Sequence, residues 1–180
     1  MKKIITSCTL LLFVALLSSC KNEKSLQSYL VDTSGKDGFY TGDLPVSSVL
    51  TANADVSEDV KKTMESIKKI NIVFLPKTED NTATYETEKS KLKNIFKDNN
   101  DYKSLMSMKM KGMNVSIYYS GKTDAIDEVI AFGYGDQQGV GVARLLGDNM
   151  NPAQIIEMMN SVKMDANNDS FKNFANLFNQ

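Results

Sequence analysis

The spacing of apolar residues changes several times along the chain, and each change predicts an element. Val56, Val60, Met64 and Ile67 recur at helical intervals, with Lys61, Lys62 and Lys68 on other faces. Ser57 is placed to cap this helix, and Glu58 and Asp59 fall in the first turn, where the helix dipole favours acids. The pattern carries the helix to about Lys69. Ile70 to Pro76 (INIVFLP) is then an unbroken apolar run closed by proline, the pattern of a strand buried on both faces. After the polar stretch Lys77 to Thr84, the residues Tyr85, Leu92, Ile95 and Phe96 share one face and predict a helix from about Thr82 to Lys97. Tyr102, Leu105 and Met106 predict a further short helix.

Beyond that point the period falls to two. Met113, Val115, Ile117 and Tyr119 alternate with Asn114, Ser116, Tyr118 and Ser120, as in a half-buried strand. Gly121 to Asp124 supplies a turn. Ile126 to Gly133 and Val140 to Leu146 predict two more strands, joined by the turn-rich Gly135-Asp136-Gln137-Gln138-Gly139. Three successive strands of this kind read as an antiparallel meander. Asn151 then caps a helix with Pro152 at its first position, where a missing N–H costs nothing, and Ile155, Ile156, Met159 and Val162 form its stripe.

Residues 25–43 predict only a lead-in segment with loops, and LPVSSVLTANA (Leu44 to Ala54) a short helix or packed turn. The tail has Phe171, Phe174, Ala175, Leu177 and Phe178 at amphipathic helical spacing. The expected fold is α+β: an about four-stranded, mainly antiparallel sheet with helices packed on one face. The expected organisation is a single domain over 25–163, followed by an amphipathic tail helix over 164–180.

The N-terminus changes the picture. Lys2 and Lys3 precede an apolar stretch, Ile4 to Leu17, that is shorter than the roughly 20 residues needed to span a bilayer. A basic start, a short apolar core and small residues at its end read as a secretory signal. Leu17-Ser18-Ser19-Cys20 resembles the lipobox of bacterial lipoproteins, in which the cysteine thiol is acylated and the chain is cut just before it. The resemblance implies a signal peptide over 1–19, lipid attachment at Cys20 and a tether over 20–24. Cys8 leaves with the cut peptide, so the mature chain holds one cysteine, already acylated, and no disulfide. The implied partner is the membrane, held through acyl chains on Cys20, because two or more chains anchor firmly where one does not. Lys21, in place of aspartate, resembles an outer-membrane-sorted lipoprotein facing the periplasm.

Composition then prunes the function classes. Without residues 1–19 the chain keeps 161 residues, with 19 basic against 22 acidic groups, a net charge of −3. No basic surplus marks a nucleic-acid footprint. Histidine is absent, which removes Ser-His-Asp triads and nearly all zinc or haem sites, and the blocked cysteine removes thiol chemistry. Lysine-, tyrosine- or carboxylate-based mechanisms survive. No catalytic residue and no cofactor is assigned, and the reading leans away from an enzyme.

With these residues in view, the mature chain resembles an uncharacterised lipoprotein family of the Bacteroidetes, the domain of unknown function 4252. The resemblance rests on the lipobox with Asn22-Glu23-Lys24-Ser25-Leu26-Gln27, on Leu44-Pro45, and above all on Arg144-Leu145-Leu146-Gly147-Asp148-Asn149-Met150-Asn151-Pro152. It spans about residues 20–163 and implies an envelope location and a single domain, with no reaction attached.

Four features invite chemistry. Met106, Met108, Met110 and Met113 suggest a thioether copper(I) site, against which stands their use as adaptable core fillers; the latter reading is preferred, with a bulge expected near Lys111-Gly112. Arg144 shares a strand face with Val140, Val142 and Leu146; a structural ion pair with Asp127 or Glu128, or a snorkelling side chain, is preferred to an anion-binding role beside Gly147. Gly147 to Pro152 lacks the residues of a phosphate loop, and Asp165 to Asp169 lacks the glycine and glutamate of a calcium loop, so no metal site is assigned. The expected function is that of a membrane-anchored envelope lipoprotein acting as a non-enzymatic binding or interaction module, with an envelope protein as a candidate partner. The alternative is a carboxylate- or lysine-dependent envelope hydrolase.

Overall fold

The computed structural model describes residues 25–44, 50–51, 57–97, 99–110, 112–161 and 163–164. In chain order these form α1 (Leu26–Thr33), β1 (Tyr40–Leu44), β2 (Leu50–Thr51), α2 (Glu58–Ser66), β3 (Ile67–Pro76), α3 (Thr82–Phe96), β4 (Lys103–Met110), β5 (Met113–Lys122), β6 (Ala125–Gly135), β7 (Gly139–Met150), α4 (Pro152–Ser161) and β8 (Lys163–Met164). The fold is α+β with an antiparallel sheet, as expected. That sheet has six strands rather than about four, in the order β1-β3-β7-β6-β5-β4, and β2 pairs separately with β8. All of its pairings are antiparallel.

The four expected strands occupy the middle of the sheet, and the two that were not expected are its edges. β1 (YTGDL) is short and mostly polar. β4 (KSLMSMKM) replaces the short helix expected around Tyr102 to Met106. Its pairing with β5 shifts by one residue between Ser104 and Met106, while Lys111, beside which a bulge was expected, lies outside the described residues. Gly112 instead turns the hairpin with φ +82°, a conformation glycine adopts without strain. The lead-in segment also holds α1, whose N-cap Ser25 accepts from the Ser28 N–H at 3.1 Å.

α2 stops at Ser66, three residues earlier than Lys69, and Ile67 already pairs with Gly147 of β7. Its cap is as expected, with Ser57 Oγ accepting from Val60 N–H at 3.3 Å. Asn151 caps α4, accepting from Ala153 and Gln154 N–H at 2.9 and 3.3 Å. Ile155 on that helix is fully buried, whereas Ile156 is exposed.

Helices lie on both faces of the sheet, not on one. Strand periodicity explains this, because the central strands are apolar on both sides. Val73, Leu75, Ile130, Phe132, Val140 and Val142 face Leu26 and Tyr29 of α1 and Tyr85, Leu92, Ile95 and Phe96 of α3. The alternate residues Ile70, Ile72, Ile117 and Val129 join Val60 of α2, Ile155 of α4 and Met150 in a second core. On that second side β3 and β7 approach closely. A Cβ on Gly141 would meet the Val73 carbonyl at 2.5 Å and the Phe74 ring at 2.8 Å, so glycine is required there.

Candidate functional site

Helix α3 is fixed at both ends. Near its start Tyr85 is fully buried, donates to Asp136 Oδ1 at 3.3 Å, and lies under the ammonium groups of Lys77 and Lys89 at 4.9 and 4.8 Å. Burial, then the charge of Asp136, push its phenol up to about 12. At its end Phe96 stacks on Tyr118 of β5 at 4.5 Å and meets Tyr102 and Phe132 edge-on or tilted at 5.3 and 5.7 Å. Between these anchors the buried stripe Tyr85, Glu88, Leu92, Ile95 keeps helical spacing, and a carboxylate occupies one of its positions.

Helix α1 is tied to the same face by the buried Arg144 and its partly buried ion pair. Arg144 Nε and Nη2 donate to the two oxygens of Glu128 at 2.7 and 3.0 Å, and Nη1 donates to Gln27 Oε1 of α1 at 2.6 Å. Of the two expected partners, Glu128 is the one engaged. Gln27 had no signal in the sequence, since a glutamine on a short helix announces no partner. The bidentate geometry is the strong form of this interaction. Tyr102 lies beside the pair; burial and Glu128 push its phenol up while Arg144 opposes.

With both helices so placed, a cleft of about 260 Å³ opens between them, lined by Tyr29, Asp32, Thr33 and Lys36 from α1 and its following turn and by Glu88, Lys91, Asn94 and Ile95 from α3. Glu88 is 4% exposed. Its Oε1 accepts from Lys91 at 2.7 Å, but Oε2 is buried with no hydrogen-bond partner. Tyr29 is close enough that burial, then the Glu88 charge and hydrogen bonding toward it, hold the phenol far above its usual range. The phenol and this carboxylate therefore lie side by side in the wall of the cleft, with Oε2 itself buried. Thr33 donates into its own helix, to the Tyr29 and Leu30 carbonyls at 2.7 and 3.3 Å.

A second recess, of about 240 Å³, lies at the edge strand and is lined in part by Leu30, Ser34, Asp43 and Asn71. Its acid is already engaged. Lys69 donates to Asp43 at 2.6 Å, Asn71 donates to the other oxygen, and the Lys69 hydrogen bond lowers the carboxyl pKa. The α1–α3 cleft is therefore the candidate site, and Glu88 is its distinguishing group.

The other candidates fall elsewhere. Met106 and Met108 pair with Ile117 and Val115, and Met110 with Met113, which puts the methionines on the edge hairpin β4–β5. Among the described residues no group of three or more His, Cys, Asp or Glu is placed to hold a metal ion. Gly147 to Met150 continues β7 instead of forming a loop, with Asn149 at φ 51°. Cys20, the segment Asp165 to Asp169 and the tail helix lie outside the described residues. Among those described, no helix is long and apolar enough to cross a membrane.

No curated protein matches this chain, and no solved structure does. A family model described as a domain of unknown function does match, over residues 33–158, and so takes in β1 to β7, α2, α3, most of α4 and only the last residue of α1, including Glu88, Glu128 and Arg144. The chain belongs to that family, DUF4252.

Proposed function

We propose that the protein is an envelope lipoprotein, anchored in the outer membrane and facing the periplasm, whose domain binds a ligand without transforming it. The tether is carried by Leu17-Ser18-Ser19-Cys20, with acyl chains on Cys20 as the membrane partner. The single observation that carries the binding role is the cleft between α1 and α3, with a carboxylate that is 4% exposed, Glu88, in its wall. A concave site with apolar walls and a few placed polar groups is where a small ligand binds.

The second reading is a carboxylate-dependent hydrolase. It is favoured by one observation, that Asp32 and Glu88 both line the cleft. Photo-crosslinking in intact cells, with a photoreactive residue placed at Asn94 on the cleft rim and products identified by mass spectrometry, tests the binding role. A reproducible adduct that disappears on Glu88→Gln supports it. Release of a processed product, abolished by Asp32→Asn and by Glu88→Gln, would replace it with the hydrolase.

A further inference from the structure

Independently of the α1–α3 cleft, we infer that the C-terminal segment, residues 165–180, seats its phenylalanines on the far half of the second sheet face and closes that core. The reach of the helices carries the argument. α2 runs straight into Ile67 and α4 begins two residues after Met150, so both helices rise from the same end of the sheet. They lie side by side, with Ser57 Oγ donating to Glu157 at 3.1 Å and Thr63 Oγ1 donating to Gln154 at 2.9 Å. With 9 and 10 residues they extend about 14 and 15 Å, whereas the 12 residues of β7 extend about 40 Å. More than half of this face lies beyond them.

The strand register shows what stands there. Tyr40, Phe74, Gly141, Gly133, Val115 and Met108 pair in turn across all six strands and form one row. Directly paired residues point to the same face, so the row is an uncharged apolar surface on the side of the second core. Phe74 is seven residues along β3 from Ile67, about 23 Å, and so out of reach of either helix. Its ring rests on glycine: a Cβ on Gly139 or Gly141 would stand 2.9 or 2.8 Å from it. Glycine floors the ring but cannot roof it, yet Phe74 is 3% exposed, while Tyr40 and Met106 toward the sheet edges are 41% and 37% exposed. The roof has to come from chain beyond α2 and α4.

Residues 165–180 are positioned and composed to supply it. α4 climbs this face and β8 follows it, so the residues after Met164 start from the upper end of the helices. Phe171, Phe174, Ala175 and Phe178 recur at the spacing of one helix face. As a helix, residues 165–180 span about 24 Å, close to the length left uncovered. Phenyl rings laid against Met108 and Met113 also gain sulfur–aromatic contact. Because the segment is tethered, it acts at an effective concentration on the order of millimolar, which favours it over a second copy or a separate protein.

The test is photo-crosslinking of the full protein in detergent micelles, with p-benzoylphenylalanine in place of Phe174 and adducts mapped by tandem mass spectrometry. The expected result is an adduct within one chain, to the peptide holding Phe74 or to the peptides spanning Met108 to Val115. An adduct to any other part of the chain, to a second copy or to another protein, or no adduct at all, would overturn the proposal. Peroxide oxidation of methionines reads the same face without a crosslinker. Phe174→Asp together with Phe178→Asp should speed oxidation of Met108 and Met113 about fivefold and leave Met150, 1% exposed at the helix-covered end, unchanged. Unchanged rates at Met108 and Met113 would also overturn it. Should Met150 oxidise faster as well, the variant has unfolded and the crosslink in the otherwise unaltered chain decides.

Discussion

Two buried charged residues decide much of this protein's chemistry, and they are opposites. Arg144 has its guanidinium answered by Glu128 and Gln27, whereas Glu88 has one oxygen answered and one not. Breaking a buried pair strands the remaining charge, so Arg144→Met costs about 3 kcal/mol in chemical denaturation, while Arg144→Met with Glu128→Met returns to within about 1 kcal/mol of the parent. A double variant as unstable as the single one would show that the pair contributes more than charge matching. Arg144 was legible in the sequence because a charge sat on an apolar strand face. Glu88 was legible in principle for the same reason, since it completes the stripe of Tyr85, Leu92 and Ile95, but a stripe is found by its apolar members and the acid in it is easily passed over.

Tyrosine supplies a pH dependence with a definite sign. The Tyr85 phenol stands at about 12 in the folded chain against 10.0 when unperturbed. Between those values the unfolded chain has lost a proton that the folded chain keeps, so the stabilisation is intact below pH 10 and is lost as pH rises through about 12. Tyr29 and Tyr102 are raised in the same direction. Melting temperature should therefore fall from pH 10 to 12, with Tyr85→Phe falling less steeply. Identical slopes would contradict the shift at Tyr85.

At the scale of elements, legibility follows burial. The four central strands were visible because each is continuous or alternating in apolar residues, α2 and α4 because their stripes and caps agree, and α3 by its stripe alone. The edge strands β1 and β4 were not, because an edge needs only one partner and tolerates charge and bulges, as Lys103, Lys109 and the break at Ser104/Met106 show. Helices on both faces were implied by the run INIVFLP, which apart from Asn71 is apolar on both sides. Helix α1 is short, and forms because Ser25 caps it while Leu26 and Tyr29 dock on the sheet. Removing that cap with Ser25→Ala should cost about 1 kcal/mol in chemical denaturation and loosen the wall that carries Tyr29 and Thr33. Unchanged stability would mean that Gln27 and the core contacts alone hold the helix.

The whole molecule joins a sandwiched sheet to the tether we propose, and the two were legible to opposite degrees. The tether is written in a few adjacent residues, so Leu17 to Cys20 could be read locally. The cleft is formed by residues 29–36 and 88–95, brought together only by folding, so no short stretch announces it. We propose that this domain works at a membrane, held by lipid on Cys20. Intact-mass and tandem mass spectrometry of the protein extracted from membranes tests that claim most directly. The predicted result is a chain beginning at Cys20 with an acylated, glyceride-modified N-terminal peptide, lost together with membrane association in Cys20→Ser. A chain that retains residues 1–19, or one that begins at Cys20 with a free thiol, would contradict it.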